Sequence, residues 1–190
     1  RKVHSGIENN YCVRKKINGA NVHVVEKGVP FVLGEFRITP FGVPHDSTDN
    51  VGYQVECGGV TFCLITDVGH ITDEMKAFIG RANYLVLEAN HDVEMLKNGP
   101  YPRHLKQRIL STLGHLSNDT AGHFLTELER LPEHIVLAHL SEHNNLPQLA
   151  QDTVQNILQD NNRLQETELF VAAQNRVVAD SPLPAVLDFK

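Results

Sequence analysis

Three things are scarce in this chain: long apolar runs, cysteine and an excess of basic charge. The longest apolar runs, such as residues 60–65 and 84–87, fall far short of the roughly 20 residues needed to cross a bilayer as a helix. The three cysteines, Cys12, Cys57 and Cys63, form no C-x-x-C pair, and an odd count does not describe a disulfide framework. They read as structural thiols in a reducing, cytoplasmic compartment. Cys57 and Cys63 flank Gly58-Gly59, where a two-residue turn pairs Cys57 with Val60 and leaves the thiols out of direct opposition. The formal net charge is -6, which weighs mildly against a nucleic-acid substrate without excluding one, because basic residues can cluster locally. The start, Arg1-Lys2-Val3-His4, has neither an initiator Met nor an apolar signal core, so the expectation is the middle of a longer polypeptide. No internal repeat, low-complexity tract or linker divides the chain, and residues 1–190 read as a single domain.

What is present describes a globular α/β protein. Hydrophobic residues make up 41% and charged residues 21%, which excludes disorder. The first half reads as strands over 21–26, 35–41, 51–57 and 60–66, punctuated by Gly28, Pro30, Gly34 and the Gly58-Gly59 turn. From Ile71 the rhythm becomes helix alternating with strand. Helices are predicted over 72–79, 102–113, 119–131 and 146–158, with strands over 84–88, 135–138 and 169–173. Strands first and β/α alternation afterwards predict a layered sheet with helices against it.

The 11 histidines carry the chemical information, since imidazole is the commonest protein metal ligand. Asp67 follows the apolar run at 60–66, His139 follows the run at 134–138, and His45 sits in the loop Pro40-Phe41-Gly42-Val43-Pro44-His45-Asp46. Strand ends are rigid mounts that open onto ligand crevices, and carboxylate with imidazole suits zinc, manganese or iron. Taken singly, each of these residues is more often a turn residue or a satisfied polar group.

Taken together, the order Pro-His-Asp, Ile-Thr-Asp and Ala-His-Leu-Ser resembles the third, fourth and fifth motifs of the metallo-β-lactamase fold. Leu87-Glu88-Ala89-Asn90-His91-Asp92, Gly99-Pro100-Tyr101-Pro102, Gly114-His115-Leu116-Ser117-Asn118 and Leu137-Ala138-His139-Leu140-Ser141 resemble the YycJ/WalJ branch of that family. The resemblance runs from about His45 to Ala150. It implies an αββα sandwich, here without its N-terminal part, because the family's His-x-His-x-Asp-His signature is absent. It further implies a dinuclear centre in which His45 binds one divalent ion, His139 the other, and Asp67 bridges both. A metal-activated hydroxide would then cut a phosphodiester bond, with DNA as the expected substrate. The span alone is expected to be inactive.

His115 precedes a predicted helix start, where backbone N–H groups attract phosphate, and the resemblance implies a general-acid role for it. His91 either supports the centre by orienting a ligand or sits at a helix start capped by Asn90. Ser117 and Asn118 are candidate phosphate contacts. So are Arg103 and Lys106, within the one basic stretch from Lys97 to Arg108. Two alternatives stay open. One is a small-molecule hydrolase of the same fold, such as a cyclic phosphodiesterase, thioesterase or lactonase; the other is a metal-free binding or assembly module.

Overall fold

The computed structural model describes residues 25–172. A seven-stranded sheet runs through it: β1 Phe31–Leu33, β2 Phe36–Gly42, β3 Val51–Cys57, β4 Val60–Ile65, β5 Tyr84–Glu88, β6 His134–Ala138 and β7 Glu168–Val171. Spatial order follows sequence order. β1 to β4 pair antiparallel, and β4 to β7 pair parallel. The Gly58-Gly59 turn has both residues at positive φ, which is what a two-residue hairpin following the strand twist requires, and Cys57 pairs with Val60 as expected. Of the strand predicted over 21–26, only residues 25 and 26 lie within the described span.

The helices are α1 Asp73–Ile79, α2 Val93–Asn98, α3 Arg103–Ile109, α4 Asn118–Glu127 and α5 Pro147–Asp160. Thr72, Asp92 and Ser117 cap α1, α2 and α4 by accepting a backbone N–H three residues on, and Pro147 opens α5, where its missing N–H costs nothing. Two helices end earlier than the periodicity predicts. α3 stops at Ile109 because the chain folds back, with the His115 N–H donating to the Ile109 carbonyl and Gly114 N–H to Ser111. α4 stops at Glu127, and the Arg163 guanidinium takes the Thr126 and Leu128 carbonyls that a longer helix would have used.

Alternation along the strands sorts the side chains into two faces. One face carries Cys63, Ile65, Leu85, Leu87, Ile135 and Leu137, fully buried under Met75 and Ile79 of α1, Phe124 and Leu125 of α4, and Val154 and Leu158 of α5. α2 and α3 stand apart from this core. They occupy the long connection between β5 and β6, beside one edge of the sheet.

That edge is where the pairing pattern collects chemistry. β2 is antiparallel to β3 and β3 to β4, so β2 runs the same way as β4, and β5 and β6 continue in that direction. The C-terminal ends of β2, β4, β5 and β6 therefore open at one edge, the position where α/β sheets form ligand crevices.

Candidate metal centre

Each of those four strand ends delivers one ionisable side chain: His45 beyond β2, Asp67 beyond β4, Glu88 as the last residue of β5, and His139 directly after β6. The loop Gly114–Ser117 adds His115. One oxygen of Asp67 lies 3.8 Å from His45 Nε2 and 3.6 Å from His139 Nε2. The His115 ring stands 4.9 Å from that of His45 and 5.4 Å from that of His139, centroid to centroid. Residues spread over nearly a hundred positions of sequence thus share one small volume. Donor atoms of His45, Asp67 and His115 fall within 4.8 Å of one another, and so do those of Glu88, His115 and His139.

The far side of each imidazole fixes what its near side can do. His45 Nδ1 is 2.9 Å from the Gly114 carbonyl, His115 Nδ1 is 2.6 Å from Glu88 Oε1, and His139 Nδ1 is 2.9 Å from the same oxygen. A carbonyl and an ionised carboxylate only accept, so all three Nδ1 atoms donate. In the neutral ring that leaves the lone pair on Nε2. Three Nε2 lone pairs and the Asp67 carboxylate are a donor set that fits a divalent cation, with its outer hydrogen bonds already made.

Glu88 holds two of these rings and has no exposed surface. Burial by itself pushes its carboxyl up. Hydrogen bonds from His115 and His139, the His115 charge and the Val68 N–H at 2.6 Å outweigh that and hold it below its ordinary value. Glu88 is therefore ionised in the folded protein. The hydrogen bond to Glu88 raises the pKa of His139 above 6.5; burial opposes this and the charges of Glu88 and Asp67 add to it.

Two of the candidates sit on strained backbone. Asp67 has φ +53° and His139 φ +56°, a region that costs a residue with a side chain roughly 1–3 kcal/mol. Both are pinned in the same way. Asn50 Nδ2 donates to the Asp67 carbonyl at 2.6 Å, and Asn90 Nδ2 donates to the His139 carbonyl at 2.9 Å. Glu88, Asn50 and Asn90 were not singled out as functional from the sequence. The available signal was a carboxylate closing the apolar run at 84–87.

The three imidazoles, His45, His115 and His139, line a cleft of about 330 Å³ together with Asn90, Tyr101 and Arg108 among others, while Asp67 and Glu88 do not. Other sequence candidates fall elsewhere. His91 is 1% exposed, lies outside this cleft, and has no hydrogen-bond partner on either ring nitrogen among the described residues. Burial pulls its pKa from 6.5 down to about 4. Asn90 is not a helix cap, since Asp92 fills that role and the Asn90 amide is committed to His139. Asn118 is not placed to meet a phosphate: it is fully buried, its amide paired reciprocally with Asn145. Ser117 is buried too, its hydroxyl shared between the Thr120 N–H and the Thr120 hydroxyl. Arg103 and Lys106 do not line the cleft, and Lys106 Nζ donates to the Lys97 carbonyl. Arg108, from the same basic stretch, does line it.

Comparison with known proteins adds the following. Residues 1–140 match the beta-lactamase superfamily domain. The chain is 38% identical over 168 residues to exodeoxyribonuclease WalJ of Streptococcus pneumoniae, covering 88% of this chain and 60% of that protein. It is 41% identical over 129 residues to exodeoxyribonuclease YycJ of Bacillus anthracis, covering 67% of this chain and 49% of that protein. The chain thus spans only part of these relatives' length. Among solved structures, the metallo-β-lactamase fold protein YhfI from Bacillus subtilis superposes with a TM-score of 0.56 at 18% identity, over 78% of this chain and 51% of that one. Zn(2+)-bound PqqB from Methylobacterium extorquens gives 0.54 at 20% identity, over 78% and 52%. These likenesses establish the metallo-β-lactamase fold.

Proposed function

The chain belongs to the beta-lactamase superfamily domain family, and on that premise we propose that the intact protein is a metal-dependent hydrolase that cuts phosphodiester bonds at DNA ends. The observation that carries the reading is the set of three imidazoles whose Nδ1 atoms are all committed, with Asp67 between two of their Nε2 atoms. DNA as substrate rests on the exodeoxyribonuclease names of the two relatives.

Divalent ions held by His45, Asp67 and His139 would supply Lewis acidity and a nucleophile at neutral pH; zinc, manganese and iron all suit these donors. Asp67 would be the carboxylate shared between the ions, a role supported by one of its oxygens lying 3.8 Å from His45 Nε2 and 3.6 Å from His139 Nε2. Two ions would need more ligands than these three side chains supply. His115 serves as general acid. Its Nδ1–H is anchored on the Glu88 carboxylate, which orients the ring, and in the protonated ring Nε2–H delivers the proton to the leaving oxygen. The strained turns at Asp67 and His139 hold both ligands to the rigid ends of β4 and β6.

The small-molecule hydrolase reading keeps support from the net charge of -6, which disfavours a polyanion away from the cleft. An end-labelled DNA duplex incubated with the full-length protein and manganese separates the two. Progressive shortening from the ends is expected. An intact duplex alongside turnover of a cyclic phosphodiester or thioester would decide for the alternative. In the same assay His115→Ala should lower turnover by roughly 10²–10⁴-fold with metal content unchanged. Loss of metal would make His115 a ligand instead.

A further inference from the structure

We propose that Tyr101 and Arg108 form a nucleotide-holding wall of the cleft, in which Arg108 takes a backbone phosphate and Tyr101 stacks on a base. This deepens the nuclease reading and rests on it. α3 turns Leu105, Arg108 and Ile109 toward the cleft, while Arg103 and Lys106 do not line it. Arg108 is the one lysine or arginine among the described residues that line the cleft.

The position of Arg108 is set by Asp46, the residue next to His45. Arg108 Nε and Nη2 grip the two Asp46 oxygens, the Nη2–Oδ1 arm at 2.9 Å. Asp46 Oδ1 is also 3.4 Å from His45 Nε2, so the guanidinium is tied to the rim of the metal centre. Arginine carries five N–H donors in a flat fork, and Asp46 uses only the edge formed by Nε and Nη2. The end-on edge, with Nη1, makes no hydrogen bond among the described residues, and the side chain is 61% exposed. That edge matches the bidentate geometry of a phosphate.

Tyr101 is fixed by its turn. It lies between Pro100 and Pro102, each locked in φ, and packs edge-on with His143 at 5.9 Å. Gly99 seats the turn on the loop after His139 so closely that a Cβ there would meet Asn144 Oδ1 at 2.5 Å. A rigid, partly exposed aromatic beside a phosphate-binding guanidinium is the pairing by which proteins hold single-stranded nucleic acid without reading its sequence. A small uncharged substrate has use for neither.

The test uses the full-length protein with manganese, end-labelled DNA and bis(p-nitrophenyl) phosphate, a phosphodiester without a nucleobase. Tyr101→Ala and Arg108→Ala should each raise KM for DNA on the order of tenfold, and the loss on DNA should exceed the loss on the ester. Tyr101→Phe, which keeps the ring, should restore the KM. Arg108→Ala should reduce the salt slope of DNA binding by about one contact, while Arg103→Ala/Lys106→Ala keeps the wild-type slope. Equal losses on both substrates, an unchanged KM for DNA, or a slope that falls only in the double variant would overturn the proposal. Wild-type protein that turns over the ester but leaves DNA intact would defeat the nuclease reading itself, and this wall with it.

Discussion

A carboxyl group with no exposed surface ordinarily resists ionisation, and Glu88 ionises because His115, His139 and the Val68 amide all donate to it. A glutamate whose native pKa lies below its ordinary 4.5 stabilises the fold above that value, and the contribution is lost as pH falls through the lowered native value. Glu88→Gln replaces one accepting oxygen by an amide donor and sets donor against donor at Val68 or a ring Nδ1. The expected result is a fall in metal affinity of roughly 10–100-fold, read by competition titration of the full-length variant. Unchanged affinity would mean the two rings do not depend on Glu88 for their tautomer. His91 gives the same direction of pH dependence, here by staying neutral rather than charged. Unfolded chains take up a proton near 6.5, whereas buried His91 waits until about 4, so between those values the unfolded state binds more protons and stability falls as pH falls. This accounts for on the order of 3 kcal/mol. Acid unfolding of His91→Gln should show a shallower loss between pH 6.5 and 4; an identical profile would contradict the assignment. His45, Asp67 and His139 were singled out because their motifs resemble those of the metallo-β-lactamase fold, their places after strand-like runs not being enough alone. Glu88 was not, since its meaning lies in partners 27 and 51 residues away.

Elements were legible wherever local chemistry decides them. The β3–β4 hairpin follows from alternation and two glycines, and α1 and α4 start at Thr and Ser caps, whereas the short α2 was not predicted. Helix ends were less legible. The apolar stripe Leu105, Ile109, Leu113 continues past the end of α3, yet Leu113 is 45% exposed, because the return of His115 to the Ile109 carbonyl takes the chain elsewhere. That fold-back is tied to the centre, for it brings His115 to Glu88 and the Gly114 carbonyl to His45. The basic stretch teaches the same lesson about faces. Its charge was visible in sequence, but which cation meets the cleft depends on how α3 is rotated, and that is set by Asp46 and by buried Ile109.

At the scale of the molecule, the sheet has two unlike faces. One is sealed by α1, α4 and α5; on the other, Tyr53, Leu64, Val86, Val136 and Phe170 line up in register across five strands and remain only partly buried. Such an apolar face suits the inner layer of an αββα sandwich, where a second sheet packs against the first. No helix among the described residues is long and apolar enough to cross a membrane. The direction shared by β2, β4, β5 and β6 carries the functional account, because it brings His45, Asp67, Glu88 and His139 to one edge. The most direct test is the divalent metal retained per chain by the full-length protein after desalting, compared between wild type and Asp67→Asn. Wild type should hold bound metal and the variant should lose most of it, because the group facing both His45 and His139 has lost its charge. Equal metal in the two proteins would contradict a centre built around Asp67.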